Sequence, residues 1–144
     1  MKPRTLALLT ACSVALASVL PLRAADLSQL IATASKYESD QSSEPLRQIE
    51  QLLRESAGKP AQRAELEAAL VKMLVPSATF EARRFACQQL ATFGTDASLP
   101  ALAGLLKADE TAGIACLALS SQHSLKALGI LRNALPDARG QTRI

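Results

Sequence analysis

The sequence predicts an all-α protein: a solenoid of stacked antiparallel helical hairpins, preceded by a signal-peptide helix. Three observations predict it. First, a hairpin is written twice: Phe85-Ala86-Cys87-Gln88-Gln89-Leu90 recurs 29 residues later as Ile114-Ala115-Cys116-Leu117-Ala118-Leu119. Second, each copy is followed by a turn and another apolar helix. These are Leu99-Pro100-Ala101-Leu102-Ala103-Gly104-Leu105-Leu106 and Leu125-Lys126-Ala127-Leu128-Gly129-Ile130-Leu131, now 26 residues apart, so the second loop is three residues shorter. Third, the apolar share of 49% is mostly Ala and Leu, with Tyr37, Phe80, Phe85 and Phe93 as the only aromatics. Ala and Leu are strong helix formers, β-branched residues are sparse, and strand-like alternation is absent. Self-similarity at this period marks supersecondary units that cannot bury their own apolar faces and so must stack.

Residues 1–24 read as a signal peptide. Met1-Lys2-Pro3-Arg4 is a cationic start, residues 5–20 are apolar, and Pro21-Leu22-Arg23-Ala24-Ala25 ends in small residues. Cleavage is expected after Ala24, and the mature chain is expected to be exported, periplasmic or secreted. Two other readings stay open. The apolar run approaches the ~17–25 residues that span a bilayer, which would make it an uncleaved anchor. Leu9-Thr10-Ala11-Cys12 is also similar to a bacterial lipoprotein processing box, although Ser13-Val14-Ala15-Leu16-Ala17 stays apolar where a polar tether is usual.

Residues 25–43 form an N-terminal helix and polar linker. Leu27, Leu30, Ile31 and Ala34 have helical spacing behind Asp26, and Glu38-Ser39-Asp40-Gln41-Ser42-Ser43 breaks the helix. The repeats are expected over 44–144. A divergent hairpin fills 44–76: Ser43 as cap and Pro45 in the first turn, a stripe of Leu46, Ile49, Leu52 and Leu53, then the turn Gly58-Lys59-Pro60. A helix over 61–74 follows, with Leu66, Ala69, Leu70, Met73 and Leu74 inward. By their phase, Glu65 and Glu67 are assigned to a solvated face. The clear repeats are 79–108, with helices at 79–93 and 97–107, and 110–136, with helices at 110–119 and 122–135. Asp96 is a candidate cap, Gly94-Thr95-Asp96 and Ser120-Ser121 are the inner turns, and Ala108-Asp109 and Pro136-Asp137 punctuate between repeats. Arg139-Gly140-Gln141-Thr142-Arg143-Ile144 reads as the start of a third copy. A solenoid end that bares its stacking face is a large apolar patch, so the chain is expected to be a fragment or a truncated reading frame.

Charge narrows the function. The formal net charge is +3, but Lys2, Arg4 and Arg23 lie in the first 24 residues, and the thirteen remaining basic residues equal the thirteen acidic ones. Neutralising nucleic-acid phosphates requires clustered Lys and Arg; Arg83-Arg84 is the only adjacent basic pair, flanked by Glu81. No nucleic-acid partner is expected, and a membrane only through the leader, if it is uncleaved or lipidated at Cys12. Cys87 and Cys116 occupy equivalent positions in neighbouring hairpins, where stacked helices lie about 8–10 Å apart. A disulfide needs Cα atoms within about 7 Å, so both are expected as buried thiols.

The segments Arg83 to Gly94 and Ala97 to Leu106 resemble a HEAT repeat. They are similar to the short bacterial HEAT-like type first described in phycobilisome lyases, with Leu90 to Gly94 ending the first helix and Leu99 to Leu106 carrying the Pro-x-Leu-x-x-Leu-Leu pattern of the second. The second copy departs: Ser120-Ser121-Gln122-His123 replaces the Gly turn, and Lys126 stands where Pro100 stood. The chain also resembles exported bacterial HEAT-repeat proteins, some joined to haem or sugar-active domains. The resemblance implies an α-solenoid with an interaction surface and does not imply lyase activity.

Residues suited to chemistry all have an ordinary structural reading. His123 is the lone histidine, in a turn. Asp109-Glu110 reads as a cap and first-turn acid, and the cysteines have no His partners for a metal. No catalytic, cofactor-binding or metal-binding residue is expected, and no cofactor. The candidate protein-interaction surface is Arg83, Arg84, Gln88 and Gln89 projecting from first helices, with Lys107 and Arg132 at second-helix ends. The expected function is an exported, non-enzymatic scaffold that binds protein. The alternatives are a docking module of a longer exported enzyme or cytochrome-like protein, and a lyase-type chaperone for cofactor attachment.

Overall fold

The computed structural model describes residues 24–137, and these residues are helical with no strand. In order they form α1 (Ala24–Ala34), α2 (Glu44–Glu55), α3 (Pro60–Lys72), α4 (Phe80–Phe93), α5 (Leu99–Leu105), α6 (Asp109–Ser121) and α7 (Leu125–Ala134). A 3-10 turn, Leu135–Asp137, follows. The all-α class is as the composition requires. The expected leader and third copy lie outside the described residues, apart from Ala24, which opens α1. Among the described residues no helix is long and apolar enough to cross a membrane.

The N-terminal helices pack as a cluster: α1 lies against both α2 and α3, and α3 against α4. Leu46, Ile49 and Leu53 recur at helical spacing and are buried, so α2 is held by one apolar stripe. Pro45 sits in its first turn, where a missing N–H costs nothing. Gly58, at φ +76°, takes the left-handed conformation that reverses the chain into α3. Thr79 joins this cluster to the repeats. Its hydroxyl donates to the carbonyl of Tyr37 and accepts from the Ala82 N–H at the start of α4, and its own N–H donates to the Ser35 carbonyl at 3.0 Å. One side chain thus caps α4 and ties it to the end of α1.

Beyond that joint, α4 packs on α6, while α5 packs on α6 and α7. The doubled sequence is legible in the packing. Ala86 and its equivalent Ala115 are fully buried, as are Leu90 and Leu119. Alanine lets the two helix backbones approach closely, and the leucines fill the space beneath.

Several helix boundaries differ from the sequence expectation. The helix α5 begins at Leu99 rather than 97, with Ser98 as N-cap residue and Pro100 in the first turn. Asp96 is not its cap: the carboxylate turns away to Lys126 Nζ at 2.7 Å and the Ser124 hydroxyl at 3.1 Å. The helix α7 begins at Leu125 rather than 122, because His123 adopts φ +49° and interrupts the chain, and the Ser124 hydroxyl caps α7 through the Lys126 N–H. Asp109 opens α6 without capping it; Ala108 is the N-cap residue.

Candidate interaction surface

The six predicted surface residues separate into two groups. On α4, Arg83 does not project. Only 13% of its side chain is exposed, and it reaches Glu110 of α6 at 3.3 Å, so it bridges the two stacked helices. Arg84 pairs with Glu81 one turn back at 2.9 Å, Gln88 is exposed, and Gln89 is half-buried. The expectation of one projecting row therefore fails for Arg83, which turns toward α6, and for Gln89, which is half-buried. Lys107 and Arg132, by contrast, are both exposed and line one groove.

That groove, about 890 Å³, runs along α7 between the end of α5 and α6. Its floor includes Leu106, Ala112 and Cys116, and its wall includes Leu125, Leu128 and Leu135. Leu125 is 88% exposed and Leu128 62% exposed. Their repeat equivalents on α5, Leu99 and Leu102, are buried. The same apolar stripe is thus covered in the first clear hairpin and uncovered in the second. Leu135, in the turn that follows, is 53% exposed on the same groove. Sequence reasoning placed Leu125 and Leu128 on an apolar helix without separating them from their buried counterparts.

The cysteines follow the same asymmetry. Both are free thiols, but only Cys87 is buried; Cys116 is half-exposed on the groove floor, which corrects the expectation of two buried thiols. Burial pushes the Cys87 thiol up to about 12, against a smaller downward pull from the Arg83 guanidinium. A neutral, inert sulfur is the consequence.

Glu67 is the residue the sequence placed most wrongly. It is 5% exposed, and its carboxylate accepts from the Thr95 N–H at 2.7 Å and from the Thr95 hydroxyl at 2.9 Å. Its spacing of three to Leu70 and seven to Leu74 was the signal that it shares the buried face of α3. The adjacent Arg63 lays its guanidinium over the Phe93 ring at 4.8 Å, so α3 and the end of α4 are joined by polar contacts on an apolar floor.

At the start of α7, hydrogen bonds from Lys126 and Ser124 hold the Asp96 carboxyl below the usual carboxylate range, and the same contact raises Lys126. His123 is exposed in its turn. Among the described residues no three His, Cys, Asp or Glu side chains converge to hold a metal ion. A scan of family models, a search of curated proteins and a search of solved structures find no match to this chain.

Proposed function

We infer that the chain is an exported, non-enzymatic scaffold of stacked helical hairpins, HEAT-like in kind, that works by binding protein. The observation that carries this reading is the unequal fate of one repeated stripe: Leu99 and Leu102 are buried, while Leu125 and Leu128 face solvent. A repeat unit that cannot cover its own apolar face presents that face to whatever packs next. The stacking of α4 on α6 through equivalent alanines and leucines supports the solenoid arrangement. The leader supports export, and the balanced charge behind Ala24 supports a protein partner over a nucleic acid.

Two measurements test the reading. The full chain, expressed in a bacterial host, is expected in the exported fraction with Ala25 as its first residue. A photo-crosslinking amino acid is then placed in turn at exposed positions 65, 84, 88 and 128. Adducts with a discrete polypeptide are expected from at least one of them. Retention in the cytoplasm together with no polypeptide adduct from any position would overturn the proposal.

A further inference from the structure

We propose that the corner between α4 and α5 is a two-sided coupling element, in which a hydrogen-bond relay from Glu67 through Thr95 and Ser98 to Gln122 makes the N-terminal cluster and the α6–α7 hairpin move together. This coupling goes beyond the scaffold reading and holds whatever the scaffold binds. The relay starts on α3. The Glu67 carboxylate is buried and accepts from the Thr95 N–H at 2.7 Å and from the Thr95 hydroxyl at 2.9 Å. That hydroxyl accepts in turn from the Ala97 N–H at 3.2 Å, and the Thr95 carbonyl accepts from the Ser98 hydroxyl at 2.9 Å. Ser98 is fully buried, and its oxygen accepts from the Gln122 side chain at 3.2 Å. Gln122 also donates to the Leu90 carbonyl at 3.1 Å. Each hydroxyl gives its one proton toward Glu67 and accepts from the far side, so the path runs in one direction without conflict.

Position in the fold gives the relay its reach. Thr95 and Asp96 are neighbours in sequence but bond in opposite directions, Thr95 to α3 and Asp96 to Ser124 and Lys126 at the start of α7. The helix α3 grips the corner a second time through Arg63, one turn before Glu67, whose guanidinium lies over the Phe93 ring. The two outgoing branches differ in strength. Asp96 and Lys126 are both exposed, so their pair is weak and screened by salt. The branch through Ser98 to Gln122 runs through buried and half-buried groups, where hydrogen bonds reinforce one another and an unpaired polar atom is costly. Gln122 has little room to shift, because its side-chain nitrogen fills the space that a Cβ on Gly94 would take. Water can solvate the exposed Thr95 when Glu67 is removed, but it does not tether Thr95 to α3. A corner freed from α3 carries Ser98 with it, and Ser98 carries Gln122.

Site-resolved amide hydrogen exchange of the full chain reads the coupling, at high salt so that the Asp96 branch is screened. The reporters are the N–H of Gln122, bonded to the Leu119 carbonyl, and the N–H of Lys126, bonded to the Ser124 hydroxyl. Glu67→Ala is expected to speed exchange at both by at least about fivefold, although Glu67 bonds to neither residue. Glu67→Gln keeps an acceptor oxygen and should restore most of the slow exchange. Coupling is reciprocal, so Gln122→Ala should speed exchange at the Thr95 N–H. Ser98→Ala cuts the relay in its middle; in that background Glu67→Ala should no longer reach Gln122 or Lys126. The amides of Ile49 and Leu53 in α2 are the internal reference and should change less than the two reporters. A rise confined to Thr95 and Ala97 overturns the proposal, as does an equal rise in α2 or one that persists in the Ser98→Ala background. Unchanged exchange at Thr95 in Gln122→Ala overturns it independently.

Discussion

The side-chain nitrogen of Gln122 lies 2.5 Å from the point where a Cβ on Gly94 would stand. Gln122 donates to the Leu90 carbonyl at 3.1 Å and contacts the Ser98 hydroxyl at 3.2 Å, so it occupies the corner where α4 turns into α5. Gly94 itself has φ −65° and ψ 151°, an extended conformation any residue adopts. Glycine is therefore required there for close approach and not for a left-handed turn. Gly94→Ala is expected to cost about 1–3 kcal/mol, because backbone and side-chain atoms crowd the site. Gly113→Ala, in open space on α6, should instead stabilise by about 0.5–1 kcal/mol. Urea unfolding of both variants checks the sign, and equal effects would show that the corner is not close-packed.

Glu67 and Thr95 make the second prediction. Glu67→Ala removes the carboxylate acceptor of the Thr95 N–H and hydroxyl; Thr95 is itself exposed, so water can replace the acceptor, and about 0.5–1.5 kcal/mol of stability should be lost. Glu67→Gln keeps an acceptor oxygen and should lose less. Identical losses for the two would mean that packing, and not hydrogen bonding, sets the effect.

The paired leucines offer a direct comparison within one molecule. Leu99→Ala removes a buried side chain and should cost about 2–5 kcal/mol, whereas Leu125→Ala changes an exposed one and should stay within about 0.5 kcal/mol. Similar losses at both positions would require α7 to be covered.

The Asp96 contact carries a pH dependence. Its carboxyl is held below its ordinary value of 3.8 in the folded chain, chiefly by the hydrogen bond from Lys126. The stabilisation is therefore present above that value and disappears as pH falls through the lower folded value. Both groups are exposed, so the effect is small and weakens with salt. Wild type and Asp96→Asn should differ in stability at pH 6 and converge toward pH 2; a difference unchanged across that range would sink the assignment.

The cysteines should differ in reactivity. In a Cys12→Ser background at pH 8, a thiol reagent is expected to modify Cys116 in the folded protein and Cys87 only on unfolding. With the Cys87 thiol pushed up to about 12 in the fold from its ordinary value of 9.0, unfolding releases a proton between those values. Stability should therefore fall as pH rises from 9 toward 12, and Cys87→Ala should blunt that fall. Equal native labelling of the two thiols would contradict the burial assigned here.

Much of the fold is legible in residues 79–135. The 3.6-residue spacing of Ala82, Phe85, Ala86 and Leu90 identifies a helix face directly, whereas Thr79, read as the first residue of that helix, is its N-cap residue and accepts from the Ala82 N–H. Asp96 misleads for the opposite reason: its sequence neighbours suggest a cap, but Lys126, thirty residues away, takes the carboxylate. Arg83 was legible as a cation on α4 and not as a bridge, since Glu110 belongs to the next hairpin.

By itself, then, the sequence determined the all-α class, the doubled hairpin and its apolar stripes, because helix propensity and periodicity act within a few residues of each position. Tertiary structure decided which stripe is covered. Leu99 and Leu125 are equivalent as letters, yet the first lies under packed helices and the second faces solvent. Burial is a property of what else occupies the surrounding space, and no local pattern encodes it.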